Sequence, residues 1–211
     1  LPLVTERSMF AETLARVPDG PLYAPPVIIG NASHDALIRD ALDSAGVTAQ
    51  YILLEPESRN TAAAICLAAL QIGEKDMGAV MLVLPSDHVV GDTTAFDAAI
   101  QTANDAALEG AIVALGIAPD GPETGYGYIR AGAPRAQGGF AIHSFTEKPD
   151  RATAEAWLGE GGYSWNSGIF VFTAASILGE LQTHCPEMLA ACREALVSAR
   201  TADTMIYPDA T

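Results

Sequence analysis

The sequence predicts an α/β fold in which a doubly wound mixed, mainly parallel sheet is flanked by helices. Continuous apolar runs, clearest at 79–84, have the signature of strands buried on both faces. Between them lie stretches whose apolar residues recur at helical spacing, so strand and helix alternate four times in about the first 115 residues. Right-handed crossovers then place helices on both faces of the sheet.

The elements follow in order. Phe10, Leu14 and Val17 share one face of a helix over 8–17, and Pro25 and Pro26 punctuate before a strand at 27–29. Asn31 or Ser33 caps the next helix, whose Leu37, Ile38, Ala41, Leu42 and Ala45 line one face until Gly46 ends it. A strand at 51–54 leads to a helix at 61–72 that is apolar almost all round, as a buried helix is. After the 79–84 strand come a helix at 95–108, a stop at Gly110 and a strand at 111–115. The second half is richer in glycine and in strand signals, at 126–130, 140–145 and 169–172, and reads as antiparallel in part. Helices fill 151–159, 175–184 and 187–199, while 201–211 shows no pattern. Without repeats or a linker, residues 1–211 read as a single domain.

Composition narrows the function. With 49% hydrophobic and 18% charged residues, the 211-residue chain has ample material for a core. Eleven Lys and Arg against 26 Asp and Glu give a net charge of −15, which would repel a phosphate backbone and disfavours nucleic acid or an anionic membrane as the main partner. A phosphate ligand must be held locally. No apolar run is long enough for a membrane span, and no basic-then-apolar signal opens the chain. Cys66, Cys185 and Cys192 are too few for a disulfide framework and read as core thiols in a reducing cytoplasm. The chain starts at Leu1 without an initiator Met, so an upstream segment is expected. A homodimer is compatible with the sequence.

In open α/β sheets ligands bind beyond the carboxyl ends of strands, so polar residues that follow apolar runs carry the chemistry. Leu84-Pro85-Ser86-Asp87-His88 is such a place. Asp87 is a hard oxygen ligand suited to Mg²⁺, although an aspartate there also makes an ordinary turn or cap. His88 reads as packed or hydrogen-bonded, because His34, His143 and His184 offer it no obvious metal partners. Glu55-Pro56-Glu57-Ser58-Arg59-Asn60-Thr61-Ala62 opens into a helix whose N-terminal N–H groups would meet a ligand, or which Asn60 or Thr61 simply caps. The glycines of 116–132 allow close backbone approach or merely tight turns. Phe145-Thr146-Glu147-Lys148-Pro149 offers a scarce Lys for a phosphate, or a solvated surface pair. Trp165-Asn166-Ser167-Gly168 is either a ligand edge or a turn ahead of the 169–172 strand.

Taken in order, these motifs, together with Gly125-Tyr126-Gly127-Tyr128-Ile129, resemble the sugar-phosphate nucleotidyltransferases. Within them the resemblance is to the mannose-1-phosphate guanylyltransferase branch, whose bacterial members are often fused to a phosphomannose isomerase domain. It runs from Leu1 to about residue 195. It implies a Rossmann-like nucleotide-diphospho-sugar transferase fold and Mg²⁺-dependent nucleotidyl transfer from GTP to mannose 1-phosphate, giving GDP-mannose and pyrophosphate by in-line attack. Asp87 would hold the Mg²⁺ at the α-phosphate, and Lys148 would bind the sugar phosphate. Glu55, Arg59, Asn60, Thr61 and Ser86 would bind the nucleotide, and Gly127, Glu147, Asn166 and Gly168 the sugar. Glu55 suits guanine, whose N1–H and N2–H donors one carboxylate accepts together. The rivals are a glucose-1-phosphate thymidylyl- or uridylyltransferase and a non-catalytic nucleotide-sugar-binding regulatory domain. The family's glycine-rich segment and its second metal-binding Asp have no match in the chain, which therefore reads as the middle of a catalytic domain.

Overall fold

A computed structural model describes residues 5–57 and 60–209. In chain order the elements are α1 (Met9–Arg16), β1 (Val27–Asn31), α2 (Asp35–Ala45), β2 (Tyr51–Glu55), α3 (Asn60–Gly73), β3 (Val80–Val83), α4 (Thr93–Leu108), β4 (Val113–Ile117), β5 (Gly127–Pro134), β6 (Phe140–Glu147), α5 (Arg151–Glu160), β7 (Tyr163–Thr173), α6 (Ala174–His184), α7 (Pro186–Val197), β8 (Arg200–Ala202) and β9 (Met205–Tyr207). A 3₁₀ turn, Ala32–His34, precedes α2. These elements form a mixed α/β fold with parallel and antiparallel sheets, and its Cα packing divides into two compact units.

The first unit comprises the described parts of 1–81, 85–93 and 173–211. Its sheet runs β1-β2-β9-β8, with β1 and β9 both parallel to β2 and a β8–β9 hairpin at the edge. Ile52, Leu53 and Leu54 of β2 are all buried, as a strand covered on both faces requires. Ile52 and Leu54 join Leu14, Ile28, Leu42 and Met205 in one core, and α3 packs against α6 and α7. Arg39 grips Asp35 with two guanidinium nitrogens, the second at 2.9 Å, and holds that carboxyl below the usual carboxylate range. Tyr207 donates to the same carboxylate at 3.1 Å and ties β9 to α2.

The second unit, Leu82–Leu84 and Thr94–Phe172, holds the strands that the glycine-rich half predicts. β5 pairs antiparallel with β6 and β7, and β4 pairs antiparallel with β7. Tyr128, Ala154 and Trp165 are buried together beneath the stacked rings of Trp157 and Tyr163.

Four sequence expectations are corrected. Asn31 caps the 3₁₀ turn, accepting from Ser33 N at 2.9 Å, and α2 starts after His34 without a side-chain cap because that turn intervenes. Residues 201–211 include β9 and most of β8, three-residue strands too short for a period-2 pattern to register. β7 begins at Tyr163, so Trp165-Asn166-Ser167-Gly168 lies within a strand instead of ahead of one. Cys185 is exposed between α6 and α7, whereas Cys66 and Cys192 are buried as core thiols. The hydrogen bond of Cys66 with Cys192, together with burial, pushes the Cys66 thiol well above its ordinary range.

Candidate functional site

In the second unit, strand register assembles a cradle. Gly127 on β5 stands opposite Glu147 on β6, and Asn166 on β7 stands opposite Gly116 on β4. Gly127 is a glycine for lack of space: a Cβ there would lie 2.7 Å from Glu147 Oε2, 2.9 Å from Phe145 Cζ and 3.3 Å from Asn166 Cβ. A backbone edge, a carboxylate and an amide therefore converge on one point, which is the donor and acceptor set that sugar hydroxyls need. Asn166 Oδ1 accepts from Gly168 N at 3.2 Å, which leaves its NH₂ group as the donor end. Gly168 has φ 73° within β7, a left-handed value that favours glycine. Tyr126 packs edge-on against Trp165 beside the cradle, with ring centroids 5.1 Å apart.

Lys148 follows directly. Its N–H donates to Tyr126 O at 3.1 Å, and its Nζ lies 3.4 Å from Glu147 Oε1 with most of both side chains exposed. Its backbone is left-handed, φ 47°. Among the described residues only Asn60, Lys148 and Asp203 combine positive φ with a side chain, and the first two are motif residues. Strain of this kind persists where surrounding structure enforces it, as at functional sites.

In the first unit, Glu55 closes the carboxyl end of β2, opposite Asn31. It is half-buried, and burial pushes its carboxyl above the usual range. A cavity of about 100 Å³ beside it is walled by Leu67, Met188 and Cys192, too small for a nucleoside by the usual size of ligand sites of roughly 300 Å³ upward. Asn60 starts α3 in a left-handed turn, φ 66°, with Thr61 exposed in the first helical turn, while Arg59 lies outside the described residues. Ser86 and Asp87 are exposed in the irregular loop after β3. His88 Nε2 stands 4.0 Å from Asp87 Oδ1.

A Nucleotidyl transferase family model matches residues 1–210. The chain belongs to the nucleotidyl transferase family. It is 46% identical over 195 residues to the xanthan biosynthesis protein XanB of Xanthomonas campestris pv. campestris (strain B100), covering 92% of this chain and 41% of that protein. It is 41% identical over 197 residues to a mannose-1-phosphate guanylyltransferase of Sinorhizobium fredii, covering 93% of this chain and 38% of that one. The crystal structure of a mannose-6-phosphate isomerase from Helicobacter pylori aligns with TM-score 0.87 at 32% identity over 98% of this chain and 79% of its own. The chain thus spans less than half the length of the curated relatives it matches.

Each unit of this family member contributes its own part of the predicted residue set. The second brings Gly127, Glu147, Lys148, Asn166 and Gly168 to neighbouring strand positions, and the first presents Glu55, Asn60, Thr61, Ser86 and Asp87 at the ends of β2 and β3. Sequence reasoning missed Arg16, whose Nη2 donates to the carbonyl of His88 at 2.7 Å. A basic residue closing a helix in a chain with so few cations was the available signal.

No three His, Cys, Asp or Glu side chains gather as a metal cage among the described residues. Asp87 alone still suits Mg²⁺, which keeps several waters and is bound through one or two carboxylates plus substrate phosphates. Its side chain is 79% exposed, open to such a complex.

Proposed function

We propose that the full-length protein transfers a guanylyl group from GTP to mannose 1-phosphate. A phosphate oxygen of the sugar phosphate forms a bond to the α-phosphorus. The bond from that phosphorus to the bridging oxygen breaks, and pyrophosphate leaves with the electron pair. No protein nucleophile is needed; catalysis rests on positioning and on neutralising charge. The observation that carries this reading is the cradle of Gly127, Glu147 and Asn166 with Lys148 at its edge, a hydroxyl-binding surface flanked by a cation.

Each residue then has a task. Glu147 accepts from sugar hydroxyls, Asn166 donates to them, Gly127 and Gly168 let the ring approach the backbone, and Lys148 binds the sugar phosphate. Asp87 holds Mg²⁺, with Ser86 beside it facing the nucleotide. Bound there, the ion supplies charge neutralisation at the phosphate oxygens. Asn60 and Thr61 bind the nucleotide where α3 begins, with their N–H groups and side chains, and Arg59 joins them in the nucleotide set. Glu55 accepts the two adjacent donors of guanine, whereas uracil or thymine presents a single N–H. The reading also places the protein in the cytoplasm, in keeping with its unbridged thiols; no helix among the described residues is long and apolar enough to cross a membrane.

Glu55→Gln should therefore lower the preference for GTP over UTP by about 10²-fold or more, because a site built for paired donors loses its discrimination. An unchanged ratio would remove Glu55 from base recognition. The same variant has a stability signature. The raised carboxyl pKa means that the folded state binds the proton more tightly than the unfolded one, so Glu55 costs stability as pH rises through the raised value. Glu55→Gln should melt higher than the parent at neutral pH and match it in acid.

Gly127→Ala tests the cradle. The atoms that the new methyl meets first are the far ends of Glu147 and Phe145, so the fold yields while the carboxylate is displaced. The KM for the sugar phosphate should rise by about tenfold or more with little change in melting temperature, as a misplacement near 1 Å does. An unchanged KM would take Gly127 out of the sugar site.

The reaction itself is tested by pyrophosphate release from the full-length protein with Mg²⁺, pairing GTP, UTP, dTTP and ATP with mannose 1-phosphate and glucose 1-phosphate. Release confined to GTP with mannose 1-phosphate is the expected result. Another productive pair would keep the chemistry and replace the substrates, and no release would favour a nucleotide-sugar-binding regulatory role. Interconversion of mannose 6-phosphate and its ketose, run alongside, separates the activity in the Helicobacter relative's name from nucleotidyl transfer.

A further inference from the structure

The loop after β3 carries Ser86 and Asp87 in irregular backbone, and a cavity of about 210 Å³, lined by Met9, Arg16, His88, Val89, Val90 and Thr93, lies against it. Where a cavity borders a loop, packing on that side is sparse and individual hydrogen bonds weigh more in holding its geometry. Arg16 supplies one across 72 residues of sequence. It is the last residue of α1, a helix fixed by its Ser8 cap and by the burial of Leu14, and its Nη2 donates to His88 O at 2.7 Å. That carbonyl lies one residue beyond the carboxylate assigned to Mg²⁺. Partial burial lowers the guanidinium pKa while the nearby Glu12 raises it. A guanidinium donating to a carbonyl through a charge-assisted bond is stronger and more directional than a neutral donor.

We infer that Arg16 is a positioning residue that fixes the Asp87 loop for metal and nucleotide through its hydrogen bond to the His88 carbonyl. The inference rests on the Asp87 assignment made above. It places part of the metal site's precision in α1, outside every motif that names the site. Outer-shell groups of this kind set metal affinity without touching the metal.

The test uses the full-length protein and three variants. Mn²⁺ binding in the presence of GTP, read by the loss of the free-ion paramagnetic resonance signal, needs no turnover. Arg16→Gln keeps a polar helix former but is too short to reach the carbonyl, and it should weaken Mn²⁺ by about tenfold. The Mg²⁺ concentration for half-maximal rate should rise in parallel, while the KM for the sugar phosphate stays put. Arg16→Lys retains a donor without the planar fork and should recover all but about threefold. Glu12→Gln, which leaves the bond to His88 intact, should bind Mn²⁺ as the parent does. Parental Mn²⁺ affinity in a cooperatively melting Arg16→Gln would overturn the inference. Should that variant not melt cooperatively, parental affinity in Arg16→Lys would overturn it instead. A parent protein that makes no GDP-mannose yet loses Mn²⁺ affinity on Arg16→Gln would sink the proposed reaction alone. A productive parent with an indifferent Arg16→Gln would sink the positioning role alone.

Discussion

Asp87→Asn in the full-length protein should reduce pyrophosphate release by about 10²- to 10³-fold, the usual scale for removing one preorganised electrostatic contact in a phosphoryl or acyl transfer site. The side chain keeps its size and loses its charge. Asp87 is exposed in an irregular loop and takes part in no buried network, so the melting temperature should stay within a degree or two of the parent's, as surface substitutions do. The loss must then come from the charge. A neutral amide oxygen is a poor ligand for a hard dication, so the remaining rate should need far more Mg²⁺ for saturation. Near-normal turnover with an unshifted Mg²⁺ requirement would remove Asp87 from the metal site.

Lys148→Ala should lower kcat/KM for the sugar phosphate by about 10²-fold, since truncating one partner of a hydrogen-bonded charge pair costs roughly 2–5 kcal/mol. KM for GTP should hardly move. The pairing of Lys148 with Glu147 spans 3.4 Å with 64% and 57% of the side chains exposed, so its own contribution to stability is below about 1 kcal/mol. Removing it leaves the fold intact and frees the Glu147 carboxylate to move. Arg at this position would restore charge but not the compact ammonium, and it should recover only part of the activity. An effect confined to GTP would reassign Lys148 to the nucleotide.

Strands and helices with a strong periodic pattern were legible in the sequence. The apolar run at β3, the all-round apolar α3 and the Gly46 stop of α2 all form where local chemistry puts them, with Gly46 at φ 65°. β9 was not legible, because its place beside β2 depends on Met205 and Ile206 finding Ile52 and Leu53 across 153 residues of chain. A three-residue strand is defined by its partner. The motifs Glu147-Lys148 and Asn166-Gly168 were legible as polar interruptions, but their meeting with Gly127 was not, since register between β5, β6 and β7 belongs to the folded sheet. The contact from Arg16 to His88 was legible only at its donor end, as a basic residue closing a helix; a side chain reaching a backbone carbonyl leaves no mark on residue type at the acceptor.

The left-handed backbone of Lys148 marks a position where durability and usefulness pull apart. An L side chain at φ 47° carries about 1–2 kcal/mol that glycine would not. A population of variants ranked only by survival on heating would drift there toward Gly or Asn. One ranked by product formed would keep the lysine and carry the strain. Stabilised descendants of this chain are therefore best sought elsewhere on its surface, because the most tempting improvement at this turn discards the cation proposed to bind the sugar phosphate.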